Sequence, residues 1–261
     1  MSRPVFHVEM LFKKSKDPNL VPYVEVPCPN GHKLIGGGAR VNWESAGSLL
    51  TASYPDESQN KWIAAAKSHQ VEDPCTISAW AIALYDPNDE WDVQIWSNVS
   101  GRSNSPRKHV SVHEGYTLTG GGAKVLWEEG RDPGNLLTAS FPRDNFSWEA
   151  RSKAHNIDSQ APIAVYAIGV KPRDGSNFLN TTILSDTSPS SESHPSYSLN
   201  IPLDYTVTCG GALMNWEPTG VGNLLTAIYP ESSHRWRGEG KDHMVVSPST
   251  ITVYAVGIKN H

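Results

Sequence analysis

Residues 34–44 read LIGGGARVNWE, with three consecutive glycines, Gly36, Gly37 and Gly38, inside a segment that otherwise alternates like a strand. A glycine cluster can cradle a phosphate, but that use needs a strand before it, a helix after it and a lysine or G-x-G-x-x-G spacing. Here Ala39, Val41 and Trp43 alternate with Arg40, Asn42 and Glu44, the period of a strand with one buried face. Residues 118–128 (LTGGGAKVLWE) and 207–217 (VTCGGALMNWE) repeat the pattern, so the stretch belongs to a repeat unit.

Working outward, the copies stay in register. WESAGSLLTASYP from Trp43 matches WEEGRDPGNLLTASFP from Trp127 and WEPTGVGNLLTAIYP from Trp216. KWIAAAKSH, SWEARSKAH and RWRGEGKDH follow, ending at His69, His155 and His243. Each unit closes with an apolar strand, ISAWAIAL from Ile77, IAVYAIGV from Ile163 and ITVYAVGI from Ile251. Each opens with a short apolar strand, Phe6 to Phe12, Trp91 to Trp96 and Phe178 to Leu184.

Units of about 85 residues therefore divide the chain into 1–86, 87–172 and 173–261. Short segments rich in Val, Ile, Thr, Tyr and Trp, punctuated by Gly, Pro, Asn and Asp, predict an all-β chain with about six strands per unit and little helix. The connections YDPNDEW and KPRDGSNF are too short for tethers, which predicts a pseudo-threefold packing of tandem repeats. The arrangement could be β-prism-like or three small β-sandwiches, with a β-trefoil-like form as the alternative.

Glycine in a strand marks a bulge, a bend or a close approach of another backbone. After Trp62, the same strand face carries Ala64, Ala66 and Ser68, and the counterparts after Trp148 and Trp236 are also mostly small. The glycines therefore read as architectural, with the tryptophans filling the space beside them.

The 261 residues suffice for a sizeable core. A net charge of -5 without a basic run argues against nucleic acid as a partner. No apolar stretch approaches the roughly 18 residues of a membrane span, and no signal-peptide h-region follows Met1. The chain reads as soluble, either cytoplasmic or released without a signal peptide. Cys28, Cys75 and Cys209 cannot all pair and read as buried free thiols. The Asn98, Asn145 and Asn180 glycosylation patterns read as chance matches.

On the strand that begins near Trp62, the residues opposite the Trp face are Ile63, Ala65, Lys67 and His69. Their counterparts are Glu149, Arg151, Lys153 and His155, then Arg237, Glu239, Lys241 and His243. The first two positions drift while Lys and His stay fixed. Glu44, Glu128 and Glu217, each after a repeated Trp, are a further fixed polar position. Lys and His two apart on a strand stand roughly 7 Å from each other, and a carboxylate on a neighbouring strand would complete a cluster suited to sugar hydroxyls or a small anion. Against this stands a solvated Glu–Lys ion pair with a loop-bonded histidine. The six repeated tryptophans read as core, whereas Tyr54, Phe141 and Tyr229, each before a proline, could stack on a ligand from the solvent side.

No serine or cysteine recurs beside the histidines as a nucleophile, so no enzyme activity, cofactor or metal site is expected. His109 and His113 have helical metal-ligand spacing in a region that reads as strand and turn.

CPNGHKLIGGGARV from Cys28, with SYP from Ser53, KW from Lys61 and the closing WAIAL, resembles glycine-cluster repeats of secreted actinobacterial proteins. The resemblance covers all three units but the cysteine opening only the first, and Ala83 or Leu84 stands where a closing cysteine would be. It implies repetition and an all-β class and brings no activity. More loosely, threefold repetition resembles microbial and fungal lectins. The expected function is a multivalent carbohydrate-binding protein with one site per repeat, partnered by cell-surface glycans and possible homo-oligomers. The alternatives are a surface-binding toxin or defence protein acting on membranes, with the Ser-rich loop 185–198 as the candidate for a strand pair that detaches, and a structural interaction module.

Overall fold

Eighteen strands and one 3-10 turn, Glu57–Gln59, make up the regular structure of a computed structural model that describes residues 4–45, 47–131, 133–176, 179–217 and 222–259. Residues 1–86 contribute β1 (Val8–Lys14), β2 (Tyr23–Pro27), β3 (His32–Asn42), β4 (Ser48–Asp56), β5 (Lys61–Ser68) and β6 (Thr76–Tyr85). Residues 87–172 contribute β7 (Trp91–Val99), β8 (Arg107–Ser111), β9 (Thr117–Val125), β10 (Asn135–Pro142), β11 (Ser147–Ala154) and β12 (Ile163–Pro172). Residues 173–261 contribute β13 (Asn180–Thr187), β14 (Ser196–Asn200), β15 (Thr206–Asn215), β16 (Leu224–Ser232), β17 (Arg235–Lys241) and β18 (Thr250–Lys259). Phe178, placed by the sequence at the start of the third opening strand, lies outside the described residues.

The strands form three six-stranded sheets. Sheet I has the order β1-β6-β3-β16-β17-β14, sheet II β2-β5-β4-β9-β12-β7 and sheet III β13-β18-β15-β10-β11-β8. Every sheet takes the first, sixth and third strands of one unit and the fourth, fifth and second of another. A self-contained sandwich per unit is therefore not what forms, and among the described residues the sheets close into no barrel of the trefoil kind. The seams are short and antiparallel: Arg40 and Ala39 face Ala227 and Ile228 in sheet I, Lys124 and Ala123 face Ala52 and Ser53 in sheet II, and Leu213 and Ala212 face Ala139 and Ser140 in sheet III.

The three glycines of each cluster do three different jobs. A Cβ on Gly36 would overlap the Thr208 carbonyl, and one on Gly120 would lie 2.8 Å from Cys209 Cβ. Cys209 occupies the corresponding place in the third cluster, so β3, β9 and β15 meet at the centre through two glycines and one small thiol. Thr119 Oγ1 donates to the Ile35 carbonyl at 2.8 Å and Thr208 Oγ1 to the Thr119 carbonyl at 2.7 Å, linking the strands there. The middle glycines lie under a tryptophan: a Cβ on Gly37 or Gly210 would stand 2.6 Å from the Cγ of Trp62 or Trp236. The last glycines face the neighbouring strand of the seam, where a Cβ on Gly38 would come within 2.8 Å of Tyr229 Cα. Each glycine strand also slips register at its cluster, between Leu34 and Gly36, Leu118 and Gly120, and Val207 and Cys209, the bulge that strand glycine foreshadows.

Trp62, Trp148 and Trp236 are fully buried, and Trp62 Nε1 donates to Ser53 Oγ at 3.1 Å. Cys28, Cys75 and Cys209 are all free thiols. Residues 185–198 are built into the fold: they end β13, begin β14, and between them Ser188 N donates to the Ile251 carbonyl and Glu192 bridges Ser249. Among the described residues no helix is long and apolar enough to cross a membrane.

Candidate functional site

Strand β5 is buried on both faces, because the face opposite Trp62 turns toward the next unit rather than toward solvent. Lys67, Lys153 and Lys241 are 1–3 % exposed, and each reaches across a junction to the repeated tryptophan of another unit. The ammonium groups stand 4.2 Å from the Trp127 ring centre, 4.3 Å from Trp216 and 4.2 Å from Trp43, respectively. Lys67 also donates to the Pro133 carbonyl at 2.6 Å and Lys241 to the Ser45 carbonyl at 2.9 Å. A buried ammonium needs such partners, since its hydration has been removed. Burial still pushes the Lys153 and Lys241 amines down to about 8.

The histidines converge. His69, His155 and His243 are buried with ring centres 5.2–5.9 Å apart. His69 Nε2 lies 2.7 Å from the His155 carbonyl and His155 Nε2 lies 2.8 Å from the His243 carbonyl, short contacts that assign the proton to Nε2 in both. The third link is looser: His243 Nε2 reaches no acceptor with hydrogen-bond geometry, although the nearby His69 carbonyl partly offsets its burial. Burial, and then the neighbouring His69 and His155, hold the His243 imidazole down to about 4; burial likewise lowers His69. Directly along the strands, Leu49, Leu136 and Leu224 pair with the three lysines and form their own apolar cluster. The imidazoles thus cap an apolar layer, with both His69 nitrogens and His155 Nε2 facing carbonyls, the Pro133 carbonyl lying 3.2 Å from His69 Nδ1. Among the described residues no set of histidine, cysteine or carboxylate groups is arranged to hold a metal.

Glu44, Glu128 and Glu217 do not join this cluster. All three are exposed, Glu128 faces Arg131 at 3.3 Å, and among the described residues none bonds to the lysines or histidines. The groove above Lys67 and His69, about 350 Å³, has apolar walls from Leu20, Val21, Trp127 and Ile157, with Gln70, Glu72 and Glu129 also lining it. Sequence alternation correctly set Lys and His opposite Trp62, but that face is the junction between units.

Tyr54, Phe141 and Tyr229 lie elsewhere, on the outer sheet faces, as follows from their neighbours Ser53, Ser140 and Ile228 pointing inward. Each stacks across a seam on an aromatic residue of a closing strand. Tyr54 meets Tyr166 at 5.2 Å, Phe141 meets Tyr254 at 4.9 Å and Tyr229 meets Trp80 at 4.7 Å, with the ring planes within 27° of parallel. Trp80, Tyr166 and Tyr254 are half-buried, leaving part of each stack accessible. A cation accompanies every pair: Lys124 at 5.0 Å from the Tyr54 ring, Arg151 at 5.5 Å from Phe141 and Arg40 at 5.6 Å from Tyr229. Glu239 lies 3.5 Å from Arg40 and Glu149 lies 2.6 Å from Arg151, adding acceptors beside two of the stacks.

Sequence reading missed Trp80, Tyr166 and Tyr254 as partners in these stacks. The signal was present, a fixed aromatic position inside the otherwise small and aliphatic closing strand.

No family model matches the chain, and no curated protein is similar to it. Among solved structures, a chain from the Sulfolobus turreted icosahedral virus aligns with 97% of this chain and 91% of its own length, at 10% identity and a TM-score of 0.20. A likeness that weak carries no argument about fold or function.

Proposed function

We propose that this chain is a pseudo-threefold, β-prism-like assembly of three tandem repeats that acts as a non-enzymatic, multivalent carbohydrate-binding protein. The observation that carries the reading is the aromatic stack on the outer face of every sheet, with Lys124, Arg151 or Arg40 beside it. A flat, partly accessible ring flanked by charged donors and acceptors suits the apolar face and the hydroxyls of a sugar. Three such platforms on one rigid body give avidity on a glycan surface while each contact stays weak. The buried lysines and histidines serve this function indirectly, by fixing the three units relative to one another.

A glycan array compares the intact chain with two triple variants. Trp80→Ala, Tyr166→Ala and Tyr254→Ala together are expected to abolish binding in a chain that still folds. Lys67→Met, Lys153→Met and Lys241→Met together are expected to lower stability but preserve glycan recognition. The reverse pattern would move the sites back to the lysines, and no binding by the intact chain to any glycan would overturn the reading.

A further inference from the structure

Sheet III differs from the other two in the pairing of the cations along its fourth, fifth and second strands, and in shape. On sheet I, Arg40, Arg235 and Arg237 all meet Glu231 or Glu239 within 3.5 Å. On sheet II, Lys61 meets Glu25 at 2.7 Å and Asp56 at 3.8 Å. On sheet III, Glu149 is shared by Arg143 and Arg151, at 3.9 and 2.6 Å. Arg107, paired with Arg151 across β8 and β11, is exposed and meets no carboxylate among the described residues.

Beside these two arginines lies a notch of about 220 Å³ bounded by Ser105, Asn215, Trp216 and Glu217. Its openness follows from the strand register. Leu213 stands where sheets I and II carry Arg40 and Lys124, so no long cation crosses the seam. Ser105 precedes Pro106 where His194 precedes Pro195 in sheet I, and His194 lies 5.4 Å from the Trp43 ring, covering the equivalent of Trp216. Two shorter residues thus leave an opening on one sheet that larger residues fill on another.

We infer that this notch binds an anionic group, a carboxylate or a sulfate ester, carried on a single sugar ring; the sugar part rests on the glycan reading above. The Arg107 guanidinium supplies an unengaged fork of donors, and Arg151 uses its Nε–H on Glu149, which leaves its terminal nitrogens to a ligand. Asn215 donates both amide hydrogens, to Thr250 Oγ1 at 3.0 Å and to Thr252 Oγ1 at 2.9 Å, so its Oδ1 remains as an acceptor for a hydroxyl. Trp216 offers a ring edge against which the sugar can lie. Glu217 at the rim repels a second negative charge, favouring singly charged groups over phosphate dianions. The small volume, below the range of about 300 Å³ and upward usual for drug-sized ligands, limits the occupant to one ring and its substituent.

Titration calorimetry at low salt would use glucuronic acid, galactose 6-sulfate, their neutral parents glucose and galactose, and methyl sulfate as a singly charged, sugar-free anion. The expected result is that the acidic sugars bind at least about tenfold more tightly than their neutral parents, a difference of about 1.4 kcal/mol. Arg107→Gln should erase that preference, and so should Ser105→His, which keeps both arginines but refills the notch. Neutral-sugar binding should survive in both variants. Equal binding of acidic and neutral sugars, or a preference that survives Arg107→Gln, would overturn the site while leaving the glycan reading intact. If no sugar binds but methyl sulfate does, and Arg107→Gln abolishes it, the anion site stands and the glycan reading falls.

Discussion

The Lys241 ammonium lies 4.2 Å from the Trp43 ring centre and donates to the Ser45 carbonyl at 2.9 Å, so the last unit is fastened to the first. Lys67 on Trp127 and Lys153 on Trp216 make the corresponding links between successive units. The sheets are shared between units, and these lysines add a side-chain clasp at each junction.

The clasps make alkaline stability unusual. Lys153 and Lys241 are held at about 8, below the ordinary 10.5, so between those values the unfolded chain binds more protons than the folded one. Stability therefore rises with pH above about 8. From about 9 upward the trend is partly opposed by the thiols of Cys28, Cys75 and Cys209, all raised by burial from their ordinary 9, and from about 10 by tyrosines such as Tyr166, pushed up to about 12 by burial; both kinds of group stay protonated longer when folded. Urea midpoints at pH 7.5 and 9.5 should show the increase, and Lys241→Met should show a smaller one.

The histidine cluster sets the acid limb. His243 is held at about 4 in the folded chain against an ordinary 6.5, so its neutral form costs nothing above pH 6.5 and is progressively penalised as pH falls toward 4. Stability should decline across that window before most carboxylates titrate. His243→Gln keeps a donor without the titration and should flatten the profile between pH 4.5 and 6.5, measured by urea denaturation.

The glycines differ sharply in their tolerance. Gly37→Ala drives a methyl against Trp62 and the Trp80 carbonyl and should cost roughly 3 kcal/mol, the upper end for overpacking a core. Gly101→Ala meets nothing within 4 Å and should stay within about 0.5 kcal/mol of the parent. Equilibrium denaturation of the two variants checks the contrast.

The residue after each clustered histidine has a left-handed backbone: Gln70 with φ 59°, Asn156 with φ 58° and Met244 with φ 61°. Asn adopts this conformation more readily than Met, whose side chain is also exposed there. Met244→Asn should stabilise the chain by about 0.5–1 kcal/mol, read as a raised thermal midpoint.

Much of the fold was legible because alternation and repetition report on strands directly. LIGGGARVNWE gave a strand with a bulge and a close approach, and both occur at Gly36. The sharing of sheets was not legible, because a period of two says which residues share a face and not which strand lies alongside. The same limit applies to Lys67 and His69, which alternation set opposite Trp62 without saying that this face is buried at a junction. Their fixed identity beside the drifting Ile63, Glu149 and Arg237 signals a demanding environment, and a buried junction demands as much as a ligand does. Tyr54, Phe141 and Tyr229 were read as facing solvent, but Phe141 and Tyr229 are buried under their stacking partners and Tyr54 is half-buried; those partners in the closing strands went unnoticed because the strands read as core.

The most direct test of the central claim is the number of sugar sites per chain. Titration of the intact chain with a neutral sugar selected from the array should give a stoichiometry near three, falling near two when Tyr166→Ala removes the stack on sheet II. A stoichiometry of one that Tyr166→Ala leaves unchanged would contradict the account of three repeated aromatic platforms.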